Sequence, residues 1–244
     1  MRNLKIKTLF LVSFIFCIAF IAVIFFIGNN PNSTKRLQEA QAVFSESSKI
    51  VIDNHWAYYL INRENPLPSD FTVALDYVQG RFMLDERCAS YARDMLAAAE
   101  ADGIHLNVVS AYRSVRKQQE NLDSYTERLV NNGYTPEEAY ILATKEIALP
   151  YTSEHNAGLA LDILTMDWWE THDDVTADFE ETEEFRWLSE NAHKFGFIMR
   201  YPEEYEYVTG YSYEPWHYRF VGLYYAEKIK ESGLPLEYYY KTAF

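Results

Sequence analysis

The chain has 244 residues, a formal net charge of −14 and 2 cysteines. Its content of 48% hydrophobic and 24% charged residues is typical of a folded protein, so extensive disorder is excluded. The acidic balance argues against nucleic-acid binding, which needs clustered Lys and Arg side chains. Two cysteines also exclude a disulfide-rich scaffold and a four-cysteine zinc site.

The first pattern along the chain is an uncharged apolar segment, Thr8–Ile27. A helix of this length spans about 30 Å, the thickness of the hydrocarbon core of a bilayer. A cleaved signal peptide is the alternative, but its apolar region is usually only about 7–15 residues long and ends in small residues. Phe25, Phe26 and Ile27 end this segment. We therefore expect an uncleaved transmembrane helix that anchors the protein in the cell membrane.

Positive charges predict the orientation of this helix. Arg2, Lys5 and Lys7 precede it, and positively charged flanks stay on the cytoplasmic side. We therefore expect residues 1–7 to form a cytoplasmic tail and everything after the helix to be extracellular.

The extracellular part divides into a linker, residues 28–54, and a globular domain, residues 55–244. Patterns of helical and alternating hydrophobicity mix in the domain without a βαβ repeat, so an α+β fold is predicted. The predicted helices are Asp85–Asp102, Ser114–Asn131, one that starts at Thr135, Glu183–Phe195 and Tyr218–Ser232; the predicted strands are Leu106–Ala111, Gly158–Leu164, Phe197–Pro202 and Tyr207–Trp216. Cys88 is the domain's one cysteine, which excludes a disulfide within it.

A first candidate metal-ligand segment runs from Ser153 to Leu164. In the predicted strand Leu159, Leu161 and Ile163 share one face, so Asp162 lies on the other. A carboxylate on a strand is disfavoured unless something compensates it, and a metal ion would do so. His155 precedes the strand and could supply a second ligand.

A second segment, Glu214-Pro-Trp-His217, places a carboxylate and an imidazole among aromatic residues. Catalytic zinc sites use three protein ligands and leave one position open for water. His155, Asp162 and His217 would supply two nitrogens and one oxygen, and Glu214 would act as a base toward the water. From these residues alone, a salt-bridged structural core is an equal alternative.

Arg113 follows the predicted strand that ends at Ala111. An arginine at a strand end is often a surface charge, but in a cleft its guanidinium can bind a carboxylate with two hydrogen bonds. Arg113 is therefore a candidate anchor for the free carboxyl end of a peptide.

At these residues the sequence resembles the zinc D-alanyl-D-alanine carboxypeptidases of the VanY type. That family carries Ser-x-His-x-x-Gly-x-Ala-x-Asp followed by Glu-x-Trp-His, and this chain has both motifs in the same order, beginning at Ser153 and at Glu214. Flanking segments such as SAYRS and RWLSENAHKFGFIMRYP also look like the family, and the resemblance covers roughly residues 55 to 232. The fold of that family is a small antiparallel sheet packed by helices and is related to the hedgehog signalling domain, so the resemblance implies the same fold here.

The resemblance implies a role for each matching residue. The ligands of one Zn²⁺ ion per chain would be His155, Asp162 and His217, and the catalytic base would be Glu214. Residues that would contact the substrate are Arg113 and Ser153, which would hold its terminal carboxylate, with Gln118 and Gln119 as weaker candidates.

The implied reaction is removal of the terminal D-Ala from a peptidoglycan stem peptide, or its lipid-linked precursor, that ends in D-Ala-D-Ala. Glycopeptide antibiotics bind that terminal residue, so a role in resistance and a role in ordinary wall maturation are both open. The nearest alternative is an L,D-carboxypeptidase that acts on tetrapeptide stems. Two non-enzymatic alternatives are a wall-binding module that keeps the fold without catalysis and an adhesive surface protein that uses its 20 Tyr and 5 Trp for contacts.

Overall fold

A four-stranded antiparallel sheet lies at the centre of the domain in this computed structural model, which describes residues 55–242. The spatial order of its strands is β3-β4-β6-β5. The four strands are β3 (Asn107–Ser110), β4 (Ala160–Leu164), β5 (Phe197–Tyr201) and β6 (Glu214–Phe220). In this register Asp162 on β4 lies opposite Ser110 on β3 and His217 on β6. The pairing therefore brings two of the predicted metal ligands side by side.

Helices pack around this sheet, and side-chain caps mark the starts of four of them. They are α1 (Glu86–Ala101), α2 (Val115–Asn131), α3 (Pro136–Glu146), α4 (Trp168–Thr171), α5 (Glu183–Asn191), α6 (Glu206–Thr209), α7 (Leu223–Ser232) and α8 (Leu236–Thr242). Ser114 caps α2 by accepting from the backbone N–H of Lys117, and Thr135 forms a capping box with Glu138 at the start of α3. These caps confirm the predicted helix starts.

A separate hairpin precedes α1. Its strands are β1 (Leu75–Gln79) and β2 (Phe82–Asp85), and Asp85 at the end of β2 caps α1. The buried face of α1 packs Cys88 and Met95 into the main core together with Leu161, Ile163 and Phe197 of the central sheet. The alternation predicted for Gly158–Leu164 is thus confirmed on its core side, and burial of Cys88 leaves its thiol inert.

Two predicted boundaries near the C-terminus are wrong. The segment Tyr207–Trp216 is not one strand, because the short helix α6 and a turn at Gly210, with a φ of 78°, come before β6 starts at Glu214. The predicted helix Tyr218–Ser232 begins only at Leu223, because its first residues complete β6 and pair with β5. The hairpin β1–β2 and helix α8 were not predicted. The α+β class with a small antiparallel sheet is confirmed.

The membrane helix predicted at Thr8–Ile27 and the linker predicted at residues 28–54 lie outside the described residues. Within residues 55–242, no helix has the length and hydropathy needed to cross a membrane. The tail, anchor and linker boundaries stay predictions.

Gly158 is a position where the backbone requires glycine. It ends the turn that carries His155, its φ is 67°, and its carbonyl accepts from the backbone N–H of Asp85 at 2.9 Å. A Cβ atom added there would lie 2.8 Å from the backbone nitrogen of Asp85. Gly80 has a similar φ of 55° but no heavy atom within 4 Å of an added Cβ atom.

We therefore expect Gly158→Ala to destabilise the domain more than Gly80→Ala. Both variants suffer left-handed backbone strain of about 1–2 kcal/mol, but only the first adds a steric clash with the start of α1. Thermal unfolding of the two variants checks this, since each kcal/mol lowers Tm by about 2–4 °C in a domain of this size. Equal losses of Tm would show that the contact between Gly158 and Asp85 is not tight.

Candidate active site

Three buried side chains from distant parts of the sequence meet at one point above the sheet. His155 comes from the 3₁₀ turn Glu154–Ala157, Asp162 from β4 and His217 from β6. Each offers one ligand atom, and these atoms lie within 4.8 Å of one another. The structure thus brings together the three residues that the sequence predicted as metal ligands.

The chemistry of this donor set fits a zinc ion. Asp162 Oδ2 lies 3.3 Å from His155 Nε2, and Asp162 Oδ1 lies 3.1 Å from His217 Nδ1. Asp162 Oδ1 is buried and makes no hydrogen bond, although such an atom normally needs a partner. Two imidazole nitrogens and one carboxylate oxygen are ligands that catalytic zinc prefers, and a bound ion would satisfy the orphaned oxygen.

Hydrogen bonds to the outer ring nitrogens select the ligand atom of each histidine. His155 Nδ1 lies 2.7 Å from the carbonyl oxygen of Ala111, to which it donates, leaving Nε2 free for a metal. His217 has the opposite orientation, because its Nε2 lies 3.2 Å from the Glu154 carboxylate and its Nδ1 faces Asp162. Such outer partners fix the tautomer and orientation of metal-binding histidines.

Glu154 is the functional residue that the sequence analysis missed. Its carboxylate is 1% exposed and accepts from Arg200 Nε at 2.7 Å and from Arg219 Nη1 at 2.9 Å, besides its contact with His217. Burial acts to raise the pKa of Glu154, but the two guanidinium groups outweigh it and hold that pKa well below its usual value. Glu154 therefore stays ionised and orients the ring of His217. Its position directly before His155 was the available signal.

The metal-binding groups show the electrostatics of a cation site. Burial acts to lower the pKa of His217, but the adjacent carboxylates of Asp162 and Glu154 outweigh it and raise that pKa to about 9. The pKa of Asp162 is held well below its usual value against the effect of burial, chiefly by His155. Burial lowers the pKa of His155, so its imidazole stays neutral, as a metal ligand must be. An ionised carboxylate between two imidazoles suits a metal ion.

Glu214 reaches the same point through an irregularity in its strand. Residues three apart in a regular strand face opposite sides, yet Glu214 Oε2 lies 3.5 Å from His217 Nδ1. The register against β5 shifts here, since Tyr201 pairs with Glu214 and Met199 with Tyr218. Pro215, which cannot donate a ladder hydrogen bond, lies in the shifted segment. The irregularity therefore turns Glu214 toward the metal ligands.

The environment of Glu214 favours its protonated form. Burial, reinforced by the nearby carboxylates of Asp162 and Glu146 and opposed by His217, raises the pKa of Glu214 to about 8. A carboxyl group with a pKa near neutrality can both accept and return a proton, as a general acid–base requires.

Arg113 lies in the same cleft and is held by two side chains. Its Nη1 donates to Gln118 Oε1 and its Nη2 donates to Ser110 Oγ, both at 2.9 Å. Gln118 is itself buried and donates to the carbonyl oxygen of Ala148 at 2.7 Å. Arg113 Nη2 is 3.7 Å from Asp162 Oδ2, so its guanidinium lies next to the metal ligands. Gln118 thus positions Arg113.

The other two predicted substrate residues lie in different environments. Ser153 is buried, lines the cleft, and does not use its hydroxyl to cap the following 3₁₀ turn, so the hydroxyl can face a ligand. Gln119 is exposed on α2 and donates to Asp123 at 2.8 Å. The structure does not bring Gln119 to the cleft, because the helical twist turns it away from Gln118.

Solved structures of related sequence share this fold. A vancomycin resistance D,D-pentapeptidase VanY from a VanB-type resistance cassette, solved in complex with Zn(II), is 41% identical. It superimposes with a TM-score of 0.67 over 75% of this chain and 98% of that one. The LD-carboxypeptidase LdcB is 31% identical, with a TM-score of 0.64 over 75% of this chain and 84% of that one.

Sequence comparisons place the chain in a family. A D-alanyl-D-alanine carboxypeptidase of Enterococcus faecalis (strain ATCC 700802 / V583) is 40% identical over 190 residues, which cover 78% of this chain and 68% of the relative. The family model described as VanY, D-alanyl-D-alanine carboxypeptidase, matches residues 81–223 and includes every predicted site residue. The resemblance seen in the motifs is confirmed, and the chain belongs to the VanY family of D-alanyl-D-alanine carboxypeptidases.

Proposed function

We propose that the protein is a zinc-dependent D,D-carboxypeptidase that removes the terminal D-Ala from peptidoglycan stem peptides ending in D-Ala-D-Ala. The observation that carries the proposal is the convergence of three zinc-type ligands, an acid–base carboxyl group and a carboxylate-binding arginine in one cleft. A wall-binding module without catalysis would need neither the free ligand atoms nor Glu214 beside them.

The metal ligands would be His155 Nε2, the carboxylate of Asp162 and His217 Nδ1. A zinc ion bound there supplies a Lewis acid for the scissile carbonyl and lowers the pKa of a water molecule. Glu154, ionised between Arg200 and Arg219, keeps the His217 ring turned so that Nδ1 faces the other ligands.

Glu214 is the general acid–base that transfers the proton of the attacking water. Its carboxylate lies 3.5 Å from His217 Nδ1, so a water molecule beside the ligand atoms is within its reach. It accepts the proton of the attacking water and then donates it to the amine of the departing D-Ala. Its buried position keeps bulk water from competing for that proton.

Arg113 defines the reaction as that of an exopeptidase. Its guanidinium, fixed by Gln118 and Ser110, binds the terminal carboxylate of the substrate, and the hydroxyl of Ser153 donates to the same group. A peptide bond further from the chain end would place no free carboxylate at Arg113, so the substrate would lose this charge-assisted, two-point contact.

The second candidate is an L,D-carboxypeptidase, favoured by the similarity to LdcB. Both activities release D-Ala and can use the same ligands and acid–base residue. The higher identity to the D,D-pentapeptidase favours the first candidate. That relative is a vancomycin resistance enzyme. We propose that trimming by this protein likewise removes the residue that glycopeptides bind, in resistance or in wall maturation.

We further propose that Thr8–Ile27 anchors the protein in the cell membrane with its catalytic domain outside. The apolar length of this segment and the positive charges before it support this arrangement. The full-length protein should stay in the membrane pellet after an alkaline carbonate wash, and release of a shortened chain would contradict an uncleaved anchor.

The function is tested with stem peptides of defined length and the zinc-loaded protein. Mass spectrometry should detect loss of one D-Ala from the pentapeptide and none from the tetrapeptide. Release from the tetrapeptide alone would favour the L,D activity, and no release from either would contradict a carboxypeptidase.

In the same assay, Glu214→Gln should lower kcat by about 10²–10⁴-fold, because the amide cannot accept the water proton. Elemental analysis should find zinc retained in Glu214→Gln but lost from His155→Ala. Glu190→Gln, which removes an exposed carboxylate of α5 outside the cleft, is the matched control and should keep the wild-type rate. A Glu214→Gln variant with wild-type kcat would rule out its role.

A further inference from the structure

The charged side chains around the cleft are almost all paired. The charged residues in its lining, histidines aside, are Arg113, Arg128, Glu146, Asp162, Asp174 and Glu214. Arg128 pairs with Asp174 at 2.9 Å. Arg113 lies 3.7 Å from Asp162, and Glu214 lies 3.5 Å from His217. Among the residues that the structure describes, Glu146 has no cationic group within 4.0 Å.

Glu146 is held in place by a neutral contact. The hydroxyl of Ser212 donates to its Oε1 at 2.8 Å and so fixes the carboxylate at the mouth of the cleft. Arg63, whose guanidinium lies over the Tyr211 ring, donates to the carbonyl oxygen of Thr144 rather than to Glu146. The carboxylate is therefore positioned but not neutralised.

The location of Glu146 is unfavourable for its own helix. It is the last residue of α3, where the helix dipole places partial negative charge, so a carboxylate is destabilising there and a cation would be stabilising. The carboxylate is also close enough to Glu214 to contribute to the raised pKa of that group. Glu146 is exposed to solvent, so its carboxylate is open to a ligand that carries a positive charge into the cleft.

We propose that Glu146 binds an ammonium group carried by the substrate peptide on the amino-terminal side of the scissile bond. This inference rests on the proposed function, in which Arg113 takes the terminal carboxylate. The terminal D-Ala has no cationic side chain, so the ammonium group must come from further up the peptide. Glu146 is then a specificity-determining residue.

The cleft that Glu146 lines also has aromatic walls. Trp216 is half-buried in this lining, and aromatic faces attract ammonium groups. The ring of Tyr211, also in the lining, is buried and already has the guanidinium of Arg63 at 5.9 Å from its centroid. Two substrate groups have the required chemistry: the side-chain ammonium of a diamino acid in the stem, and the α-ammonium of a free D-Ala-D-Ala dipeptide.

Three probe substrates separate these sources. They are Nα-acetyl-L-Lys-D-Ala-D-Ala, its Nε-acetylated form, which lacks the charge, and D-Ala-D-Ala. The rate of D-Ala release gives kcat/KM for each with the zinc-loaded wild-type protein and with Glu146→Gln, which keeps an acceptor for Ser212. Comparing substrates on one variant cancels any effect of the substitution on Glu214. Glu137→Gln, on the exposed first turn of the same helix, is the matched control.

We expect the wild-type protein and Glu137→Gln to prefer the free-amine tripeptide over its acetylated form by about threefold to fivefold at low ionic strength, mostly through KM. Glu146→Gln should abolish that preference. A different result would identify the α-ammonium as the group recognised. In that case Glu146→Gln would lower kcat/KM for the dipeptide, relative to the acetylated tripeptide, and would leave the ratio between the two tripeptides unchanged.

Substrate ratios that are the same in the wild-type protein and in Glu146→Gln would overturn the inference while leaving the proposed function intact. Failure of the wild-type protein to hydrolyse any of the three probes would contradict the proposed function, and the inference would fall with it.

Discussion

The buried carboxylate of Glu154 is the constraint on which the rest of the structure depends. It is nearly inaccessible to solvent and lies between Arg200 and Arg219, which are equally buried. Leaving any of these charges without its partner would cost about 3–5 kcal/mol, a large part of the stability of a typical domain. The cluster therefore persists as a unit, and every element attached to it has a fixed position.

Each arginine of this cluster ties a distant part of the chain to the active site. Arg219 donates to the carbonyl oxygens of Ala57 and Tyr59 and so holds the first described segment against β6. Arg200 makes a two-point ion pair with Glu237 on α8. The free oxygen of Glu154 orients His217. Packing at both ends of the described part of the chain is thus coupled to the geometry of one metal ligand.

Local pattern was enough to predict most helices, and the family resemblance of two short motifs was needed to choose metal ligands over a salt-bridged core. His155, Asp162, His217 and Glu214 stand in two short motifs, and helix starts at Ser114 and Thr135 carry their own capping signals. Strand and helix boundaries near the C-terminus were not predictable, because aromatic residues fit either element. Tertiary pairing with β5, rather than local preference, decides that Tyr218 belongs to a strand.

The missed contacts share one physical cause. Glu154 depends on arginines that are 46 and 65 residues away in the sequence, and no local signal links them. Gln118 and Gln119 look alike in the sequence, yet only the first faces Arg113. The hydrogen bond between Ser212 and Glu146, which are 66 residues apart, likewise has no signal in the local sequence. Long-range polar contacts of buried or cleft-lining groups therefore need the structure.

The most direct test of this account is a crystal structure of the zinc-loaded protein with anomalous data at the zinc edge. We expect one zinc ion bound to His155 Nε2, Asp162 and His217 Nδ1, with His217 Nε2 still donating to Glu154. Zinc bound through His217 Nε2, or ligation by Glu154 itself, would contradict the claim that the buried Glu154 carboxylate sets the metal site.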